Sequence, residues 1–413
     1  MSRYHLVRPH RLLDVVSGDL LADRVVVIDG DRIVAVLAAS DAPVEGPVEH
    51  ALPTLTVLPG LIDCHTHLIG EPDSGHGYAE LLTRSSADEV LSGVRNARAT
   101  LAAGFTTVRD VGTFRAFADV SLRRAIDAGW VEGPRMLVAG AYVTSSGGGG
   151  DITGLPPDVD AVVPAELRAG VADSVDEVRK VVRRVLHAGA DFVKVIATGA
   201  VMTTGGVPGA PEFSEAELRA AVDEAALYGA DVAAHAHGAG GIKRAVRAGV
   251  RSVEHGSLID EEATELMAAS GTYLVADVYN GDYIAGQGAS AGWDAEVLRK
   301  NDETTEAQRL GFAEAVRAGV RIAYGTDSGI YPHGLNARQF AYQVGCGQAP
   351  LDAIRSATTG AADLLRRQDR VGRVAPGCFA DLVGVEGDPL ADVSCLEHVR
   401  FVMKAGAVVR APG

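Results

Sequence analysis

The chain is poor in cysteine and carries no excess of positive charge, and each deficit excludes a class of protein. Four cysteines are scattered over 413 residues without CxxC spacing, which argues against a disulfide framework and a cysteine-rich zinc site. The formal net charge of −16 argues against binding to nucleic acid or to an anionic membrane, because both need basic patches. No uninterrupted run of about 18 apolar residues occurs, so no membrane span is expected.

Aromatic residues are also scarce, and the rest of the composition is that of a large protein with a well-filled core. Hydrophobic residues make up 47% of the chain and aromatics 5%, so we expect a core of valine, alanine, leucine and isoleucine. The 49 glycines indicate many tight turns. Residues 1–10 lack the apolar segment of a signal peptide, and we therefore expect a cytoplasmic protein.

A pattern of helix, glycine and short β-rich run recurs through the middle of the chain. Examples are Ala188-Gly-Ala-Asp-Phe-Val193 and Ala318-Gly-Val-Arg-Ile-Ala323, in which the glycine suits the left-handed position that ends a helix. Helix starts are visible too, because Ser214 and Glu217 have the spacing of a capping box. This alternation predicts βα units around a parallel sheet, and the number of repeats favours a closed (β/α)8 barrel.

The two ends of the chain differ from this middle part. Val25–Val36 is predicted to form two strands around a turn-forming Asp-Gly-Asp, and Val399–Val409 is also β-rich. The simplest assembly is one small β-domain made from both termini, with the barrel between them. The predicted boundaries are 1–57 and 371–413 for the β-domain and 58–370 for the barrel.

Short β-like runs carry metal-binding side chains at or near their C-terminal ends. In a parallel α/β barrel, the C-terminal ends of the strands meet at one face, where catalytic groups gather. Imidazole and carboxylate groups bind zinc and neighbouring transition metals, so Zn, Mn and Co are all compatible with these side chains. We therefore predict one binuclear metal site formed by His65, His67, Lys194, His235, His255 and Asp327.

The spacing of these residues assigns some roles and leaves others open. His65 and His67 alternate on one strand, so both imidazoles face the same side. His235 and His237 repeat this spacing, and we expect one to bind metal and the other to contact substrate or a metal ligand. Asp327 is expected to bind metal and to accept a proton from metal-bound water, whose pKa falls from about 15.7 towards about 7. An N-capping aspartate is the alternative.

Lys194 lies between Val193 and Val195, where a lone ammonium is costly unless it is paired. Spacing alone leaves two interpretations open. The lysine either forms a salt bridge or snorkels, or it is carboxylated by CO2 and becomes an anion able to bridge two metals.

The remaining glycine-rich and histidine-rich positions are assigned as follows. The run Gly147–Gly150 is not followed by Gly-Lys-Ser/Thr, so we predict a flexible active-site loop over 146–158 and not a phosphate loop. His333, on a barrel-mouth loop after Asp327, is a candidate substrate contact. The other histidines are predicted to be structural or on the surface: His5, His10, His50, His76, His187 and His398.

Taken together, these motifs resemble the amidohydrolase superfamily over nearly the whole chain. The similarity is to the imidazolonepropionase-related branch, which includes prolidase-like Xaa-Pro dipeptidases, Xaa-Arg/Lys carboxypeptidases and ochratoxinase-type enzymes. The motifs are Pro59-Gly-Leu-Ile-Asp-Cys-His-Thr-His67, Asp110-Val-Gly112, Lys194-Val-Ile-Ala-Thr-Gly199, Pro211-Glu-Phe-Ser214, Ala234-His-Ala-His-Gly238, Glu254-His-Gly256, Gly325-Thr-Asp327 and Pro376-Gly-Cys-Phe-Ala-Asp-Leu382.

The resemblance implies a distorted (β/α)8 barrel with a β-sandwich formed by both termini. It also implies two zinc ions bridged by hydroxide and by Lys194 carrying a CO2-derived carboxylate. His65, His67 and Asp327 would bind the more buried ion. His235 and His255 would bind the other ion, which leaves His237 as a substrate contact.

One departure from the family pattern concerns substrate. Prolidase-like relatives carry Thr-Gly-Gly-His-Gly-Asp where this chain has Ser146-Gly-Gly-Gly-Gly-Asp151, so Gly149 replaces a histidine expected to touch substrate. This change and a flexible loop favour bulky or aromatic acyl groups over simple Xaa-Pro dipeptides. Tyr142 is a further expected substrate contact.

The expected activity is hydrolysis of an amide bond in a dipeptide or N-acyl amino acid by a metal-bridging hydroxide. Asp327 would pass the water proton to the leaving amine. The alternatives are a hydrolase of cyclic amides, carbamates or lactones, and a non-catalytic scaffold, which the retained ligands argue against. A deaminase is disfavoured, because deaminases of this superfamily usually use one metal and lack the carboxylated lysine. A small-molecule substrate and a homo-oligomer are expected.

Overall fold

The computed structural model describes residues 4–43, 48–70 and 78–412. His76, predicted to be structural or on the surface, lies outside these ranges. Within them, no helix is both long enough and apolar enough to cross a membrane.

The strands and helices alternate through the middle of the chain and strands dominate its ends. The strands are β1 His5–Leu13, β2 Leu20–Leu21, β3 Arg24–Asp29, β4 Arg32–Ala38, β5 Val48–Pro59, β6 Leu61–Thr66, β7 Phe105–Asp110, β8 Arg135–Val138, β9 Tyr142–Val143, β10 Val193–Ile196, β11 Val232–Gly238, β12 Ser252–Leu258, β13 Tyr273–Val275, β14 Arg321–Ile322, β15 Leu382–Glu386, β16 Phe401–Lys404 and β17 Ala407–Arg410. The α-helices are α1 Ala79–Thr83, α2 Ser86–Ala102, α3 Ala118–Asp127, α4 Pro157–Asp160, α5 Val175–Ala188, α6 Glu215–Ala226, α7 Ala239–Ala248, α8 Glu261–Ser270, α9 Asn280–Ala291, α10 Ala295–Arg317, α11 Gln339–Gly345, α12 Pro350–Ser356 and α13 Thr359–Leu364. Short 3₁₀ helices cover Ala39–Asp41, Ala165–Arg168, Asn336–Arg338 and Val393–His398.

One sheet joins the two ends of the chain. Its strand order is β17-β16-β15-β5-β1-β3-β4, with β2 paired to β1. The N-terminal and C-terminal parts meet where β5 pairs antiparallel with β15, from Leu382 opposite Pro59 to Glu386 opposite Leu55. This confirms the predicted β-domain made from both termini. The exact boundaries at 57/58 and 370/371 remain predictions, and β5 itself continues to Pro59.

The barrel wall is divided into two parallel sheets. One has the order β14-β13-β12-β11-β10-β9 and the other has the order β6-β7-β8. A parallel bridge between Thr66 and Ser328 connects the first barrel strand to the segment that follows β14. The predicted distorted (β/α)8 barrel is therefore confirmed, and the division of the wall is part of its distortion.

Helix capping follows the predicted signals. Ser214 accepts a hydrogen bond from the Glu217 N–H, and the Glu217 side chain bonds back to the Ser214 N–H, which completes a capping box at α6. Helix α5 ends at Gly189, whose φ of 111° lies in the left-handed region. The end of α5 leads directly into β10, the strand that carries Lys194.

Candidate metal centre

A cavity of about 500 Å³ lies at the C-terminal ends of the barrel strands. Its wall combines titratable groups with an apolar surface. Almost all of the predicted site residues line it: His65, His67, Tyr142, Gly149, Lys194, His235, His237, His255 and Asp327. The structure therefore brings together residues that are far apart in the sequence, as the strand-end rule predicts.

The first cluster, which we call the N-terminal group, consists of His65, His67 and Asp327. The Nε2 atoms of His65 and His67 lie 3.4 and 3.2 Å from Asp327 Oδ1. On the other side of each ring, His65 Nδ1 lies 2.8 Å from a Glu254 oxygen and His67 Nδ1 lies 2.9 Å from the Gly112 carbonyl oxygen. Since both of these partners are acceptors, each Nδ1 carries a proton, and each Nε2 faces the Asp327 carboxylate.

The surroundings of Asp327 favour the ionised form of its carboxyl group. Burial raises the pKa of its carboxyl, but hydrogen bonds with His65 and His67 outweigh burial and hold that pKa well below its usual value. The Asn280 amide donates to Asp327 Oδ2 at 3.1 Å. The backbone φ is 55° at Asp327 and 69° at His255, a region that non-glycine residues rarely adopt. Such outliers cluster at functional sites.

The second cluster, the central group, consists of His235, His237 and His255, and all three side chains are buried. His237 Nδ1 lies 2.8 Å from Ser257 Oγ, and His255 Nδ1 lies 2.9 Å from Asp277 Oδ1. Burial, followed by repulsion from His255, lowers the pKa of His237 to about 3 and the pKa of His235 well below its ordinary value. These two imidazoles are therefore neutral near pH 7, with lone pairs free to bind a cation.

The described donors fit divalent metal ions. Ligand atoms of the N-terminal group all lie within 4.8 Å of one another, as do those of the central group. In the first group, two imidazole Nε2 atoms and a carboxylate oxygen converge, and a bound cation would replace the protons that join them in hydrogen bonds. In the second group, the buried Nε2 of His235 has no hydrogen-bond partner in the part of the chain that the structure describes. Both groups therefore bring ligand atoms together where a cation could bind.

Lys194 lies in the middle of β10 and is 2% exposed, and it borders the same cavity. Burial lowers the pKa of its ammonium to about 8, although the charges of Glu254 and Asp327 oppose this effect. A measurable fraction of Lys194 is thus a neutral amine near neutral pH. The alternative of a lysine that snorkels to solvent is excluded by its burial.

Several residues that support the site had no assigned role in the sequence interpretation. Glu254 belongs to a quoted motif, but its contact with His65 was not predicted. Asp277 comes just after β13 and accepts hydrogen bonds from Gln308 at 2.8 Å and from Asn280 at 3.1 Å. The strand-end rule would have found Asp277. Asn280 and Gln308 lie on helices and carry no local signal.

Two of the predicted substrate contacts, Tyr142 and His333, lie in different positions relative to the cavity. The Tyr142 hydroxyl donates to the Gly112 carbonyl at 3.0 Å and lies 3.2 Å from His67 Nδ1, so the tyrosine forms cavity wall beside a predicted ligand. His333 is not among the residues that line the cavity. Its two ring nitrogens lie 3.1 Å from Thr100 Oγ1 and 3.1 Å from the His67 carbonyl. This position behind His67 does not support a substrate contact, and it gives His333 a structural role.

The glycine-rich loop is more constrained than its composition suggests. Side-chain oxygens accept hydrogen bonds from its backbone N–H groups: Asp173 from Ser146, Asp151 from Gly147, Glu212 from Gly149 and Thr144 from Gly150. A Cβ atom on Gly149 would lie 3.2 Å from both Ala200 Cβ and Ile196 Cγ2, which is a tight contact. The expected flexible loop is thus a folded loop in the structure, packed closely against its neighbours at Gly149.

Comparison with known proteins agrees with this geometry. The profile of the amidohydrolase family matches residues 56–409. The chain is 34% identical to the ochratoxinase of Aspergillus niger over 421 residues, which covers 96% of this chain and 85% of that protein. The crystal structure of a Xaa-Pro dipeptidase with methionine bound in its active site superposes with a TM-score of 0.92 at 35% identity, covering 98% of this chain and 99% of the other. The crystal structure of a prolidase complexed with N-methylphosphonate-L-proline superposes with a TM-score of 0.89 at 33% identity, covering 99% of this chain and 100% of the other.

Proposed function

Because this chain belongs to the amidohydrolase family, we propose that it is a metal-dependent hydrolase that cleaves the amide bond of a dipeptide or an N-acyl amino acid. The observation that carries the proposal is the convergence of the N-terminal and central groups on one cavity beside Asp327. The names of the relatives point the same way. A Xaa-Pro dipeptidase, a prolidase and an ochratoxinase are all similar to the chain over at least 96% of its length.

Two divalent ions, expected to be zinc, would be held by the predicted ligands. One would be bound by the N-terminal group and the other by His235 and His255. Lys194 would contribute to both after its neutral amine adds to CO2, forming a carbamate and releasing a proton. When bound, the ions would polarise the scissile carbonyl and lower the pKa of water.

Side chains of this protein would transfer the proton and position the substrate. Asp327, ionised near neutral pH, would accept the water proton and deliver it to the nitrogen of the leaving amine. The Asn280 amide holds one carboxylate oxygen of Asp327 in place. His237 Nδ1 can accept from the Ser257 hydroxyl, and its Nε2–H would then donate to a substrate oxygen. Tyr142 supports this arrangement by contacting His67.

The cavity wall favours an apolar acyl group. Apolar side chains line much of it: Ile69, Leu81, Phe114, Leu155, Ile196, Val201, Met202, Ile284 and Ile330. Gly149 presents no side chain to the cavity that it lines, where prolidase-like relatives carry a histidine. We therefore expect kcat/KM for bulky or aromatic N-acyl amino acids to exceed that for simple Xaa-Pro dipeptides by about tenfold or more. Kinetics on both classes, with a lactone, a carbamate and a cyclic amide as further arms, measure this. A preference for plain dipeptides would contradict the expectation.

Metal analysis tests the proposal itself. Protein produced with added zinc should contain two metal ions per chain, lose amide hydrolysis on treatment with a chelator and regain it when zinc is returned. Electron density at Lys194 should show the added carboxylate. Hydrolysis that survives complete removal of metal would refute the proposed mechanism. The cytoplasmic location and the homo-oligomeric state remain predictions.

A further inference from the structure

A buried ion pair lies in the barrel interior against His65. Arg109 is on β7 and Glu254 is on β12, and their side chains are 5% and 0% exposed. Arg109 Nη2 lies 2.8 and 2.9 Å from the two carboxylate oxygens of Glu254. Because β7 and β12 belong to different sheets of the divided wall, the pair crosses the barrel interior.

Both members of the pair are held by further hydrogen bonds. Arg109 donates from Nε to the Cys64 carbonyl at 2.6 Å and from Nη1 to Ser252 Oγ at 3.0 Å. Glu254 accepts from Ser252 Oγ at 2.5 Å and from His65 Nδ1 at 2.8 Å. The carboxylate is thus fixed in position and one of its oxygens faces His65.

Stability alone gives a weak reason for this ion pair. The interior of a parallel barrel is normally filled with branched apolar side chains. A buried ion pair is often no more stabilising than apolar side chains of the same volume, because both charges lose their hydration. The contact between Glu254 and His65 offers a different reason for the pair.

We propose that Arg109 and Glu254 are positioning residues that prepare His65 for metal binding. An ionised carboxylate only accepts hydrogen bonds, so Glu254 requires the ring proton of His65 to be on Nδ1. The Nε2 lone pair then faces Asp327, where a metal ion would be held. Arg109 keeps the carboxylate turned towards His65. This inference rests on the proposed function insofar as His65 must bind metal, and it assigns roles that the six predicted ligands leave out.

Glu254→Gln is the direct test. The amide oxygen should turn to Arg109, which only donates, so that the NH2 group faces His65 and favours the ring proton on Nε2. Zinc should then bind one of its two sites about 10–100-fold more weakly. Competition with a chromophoric chelator measures affinity, and anomalous scattering at the zinc edge identifies the weakened site. The matched variant Asp277→Asn should weaken the site of His255 instead.

A double variant separates positioning from packing. Arg109→Met combined with Glu254→Leu replaces the ion pair by apolar side chains and should leave the Tm of the metal-free protein within a few degrees of wild type. Its zinc affinity at the His65 site should still be reduced about 10–100-fold. If the double variant fails to fold, Glu254→Asp, which keeps the charge but withdraws the acceptor from His65, should give the same weakened site.

Two results would overturn the inference. One is wild-type zinc affinity at both sites in Glu254→Gln, and the other is recovery of wild-type affinity in the double variant, which would show that only packing matters. A wild-type protein that binds no zinc at all would instead contradict the proposed function, and the inference would fall with it.

Discussion

The N-terminal group and the central group each collect three metal-binding side chains, but they balance charge in different ways. The N-terminal group contains the carboxylate of Asp327 and rests on the ion pair of Glu254 with Arg109. In the central group, burial and the neighbouring His255 lower the pKa of His235 and of His237, and the Asp277 carboxylate contacts His255.

From this difference we expect a bound metal ion to stabilise one group more than the other. Each ring nitrogen of His65 faces a carboxylate oxygen, so the N-terminal group is largely satisfied by the protein itself. In the central group, by contrast, His235 Nε2 is buried without a hydrogen-bond partner among the described residues. Since an unsatisfied buried polar atom costs about 1–3 kcal/mol, a cation should stabilise the central group more than the N-terminal group.

The largest expected effect comes from removing the negative charge of Asp327 in the N-terminal group. Asp327→Asn should keep the fold and reduce turnover by about 10²–10⁴-fold or more, because the amide cannot take up the water proton. Asp277→Asn, the matched change beside the central group, should cost less. Steady-state kinetics on one N-acyl amino acid compare the two. Near-normal turnover in Asp327→Asn would show that the proton goes elsewhere, and equal losses would remove the asymmetry between the groups.

Stability without metal gives the next largest effect and tests the comparison directly. In metal-free protein, His65→Leu should cost about 1–3 kcal/mol, because it takes a hydrogen-bond partner from buried Glu254. His235→Leu should be neutral or stabilising there, since it removes an unsatisfied atom. Denaturant unfolding in the presence of a chelator measures both. After zinc loading, by contrast, His235→Leu should be less stable than the wild-type protein. Equal costs in metal-free protein would contradict the comparison.

The smallest expected effect concerns pH and the glycine-rich loop beside the central group. Burial raises the pKa of Glu212 to about 7, against the opposing hydrogen bond from the Gly149 N–H. Between the ordinary value of 4.5 and about 7, the folded protein keeps a proton that the unfolded chain has released. Stability should therefore fall as pH rises through that window and should stay level, as far as Glu212 is concerned, above it.

Glu212→Gln should flatten part of this dependence, because glutamine does not titrate and its oxygen still accepts from Gly149. Melting temperatures from about pH 5 to about pH 8 should then fall by a few degrees less than in wild type. Glu215→Gln, an exposed neighbour on α6, is the control and should follow the wild-type curve. Parallel curves for Glu212→Gln and wild type would show that Glu212 is not the titrating group.

Much of the barrel, and the convergence of the candidate ligands on one cavity, was predictable because the signals are local. The i, i+2 spacing of His65 and His67 requires only a strand to place both rings on one side. The glycine that ends each helix and the serine that begins the next mark where strands start. Once those strands are parallel, their C-terminal ends must share one face, and the candidate ligands converge without any knowledge of their contacts.

Local sequence signals were insufficient where a side chain or a loop could adopt more than one position. His333 follows Asp327 closely in the sequence, but its ring turns behind His67 and bonds to Thr100. The glycines at 147–150 suggested a flexible loop, but the carboxylate of Glu212, 63 positions away in the sequence, accepts a hydrogen bond from the Gly149 N–H. Neither result can be derived from neighbouring residues, because the deciding partner is supplied by another part of the fold.

The sequence by itself determined which residue types reach the barrel mouth, since strand periodicity and strand order follow from short-range geometry. Only the tertiary structure decided how each of them is held. Glu254 contacts His65, which is 189 positions away in the sequence, and Arg109, which is 145 positions away. Asn280 donates hydrogen bonds to Asp277 and to Asp327, which is 47 positions from Asn280. These contacts depend on the twist and closure of the whole barrel. The protonated ring nitrogen of His65 and the unpartnered nitrogen of His235 are therefore properties of the folded chain.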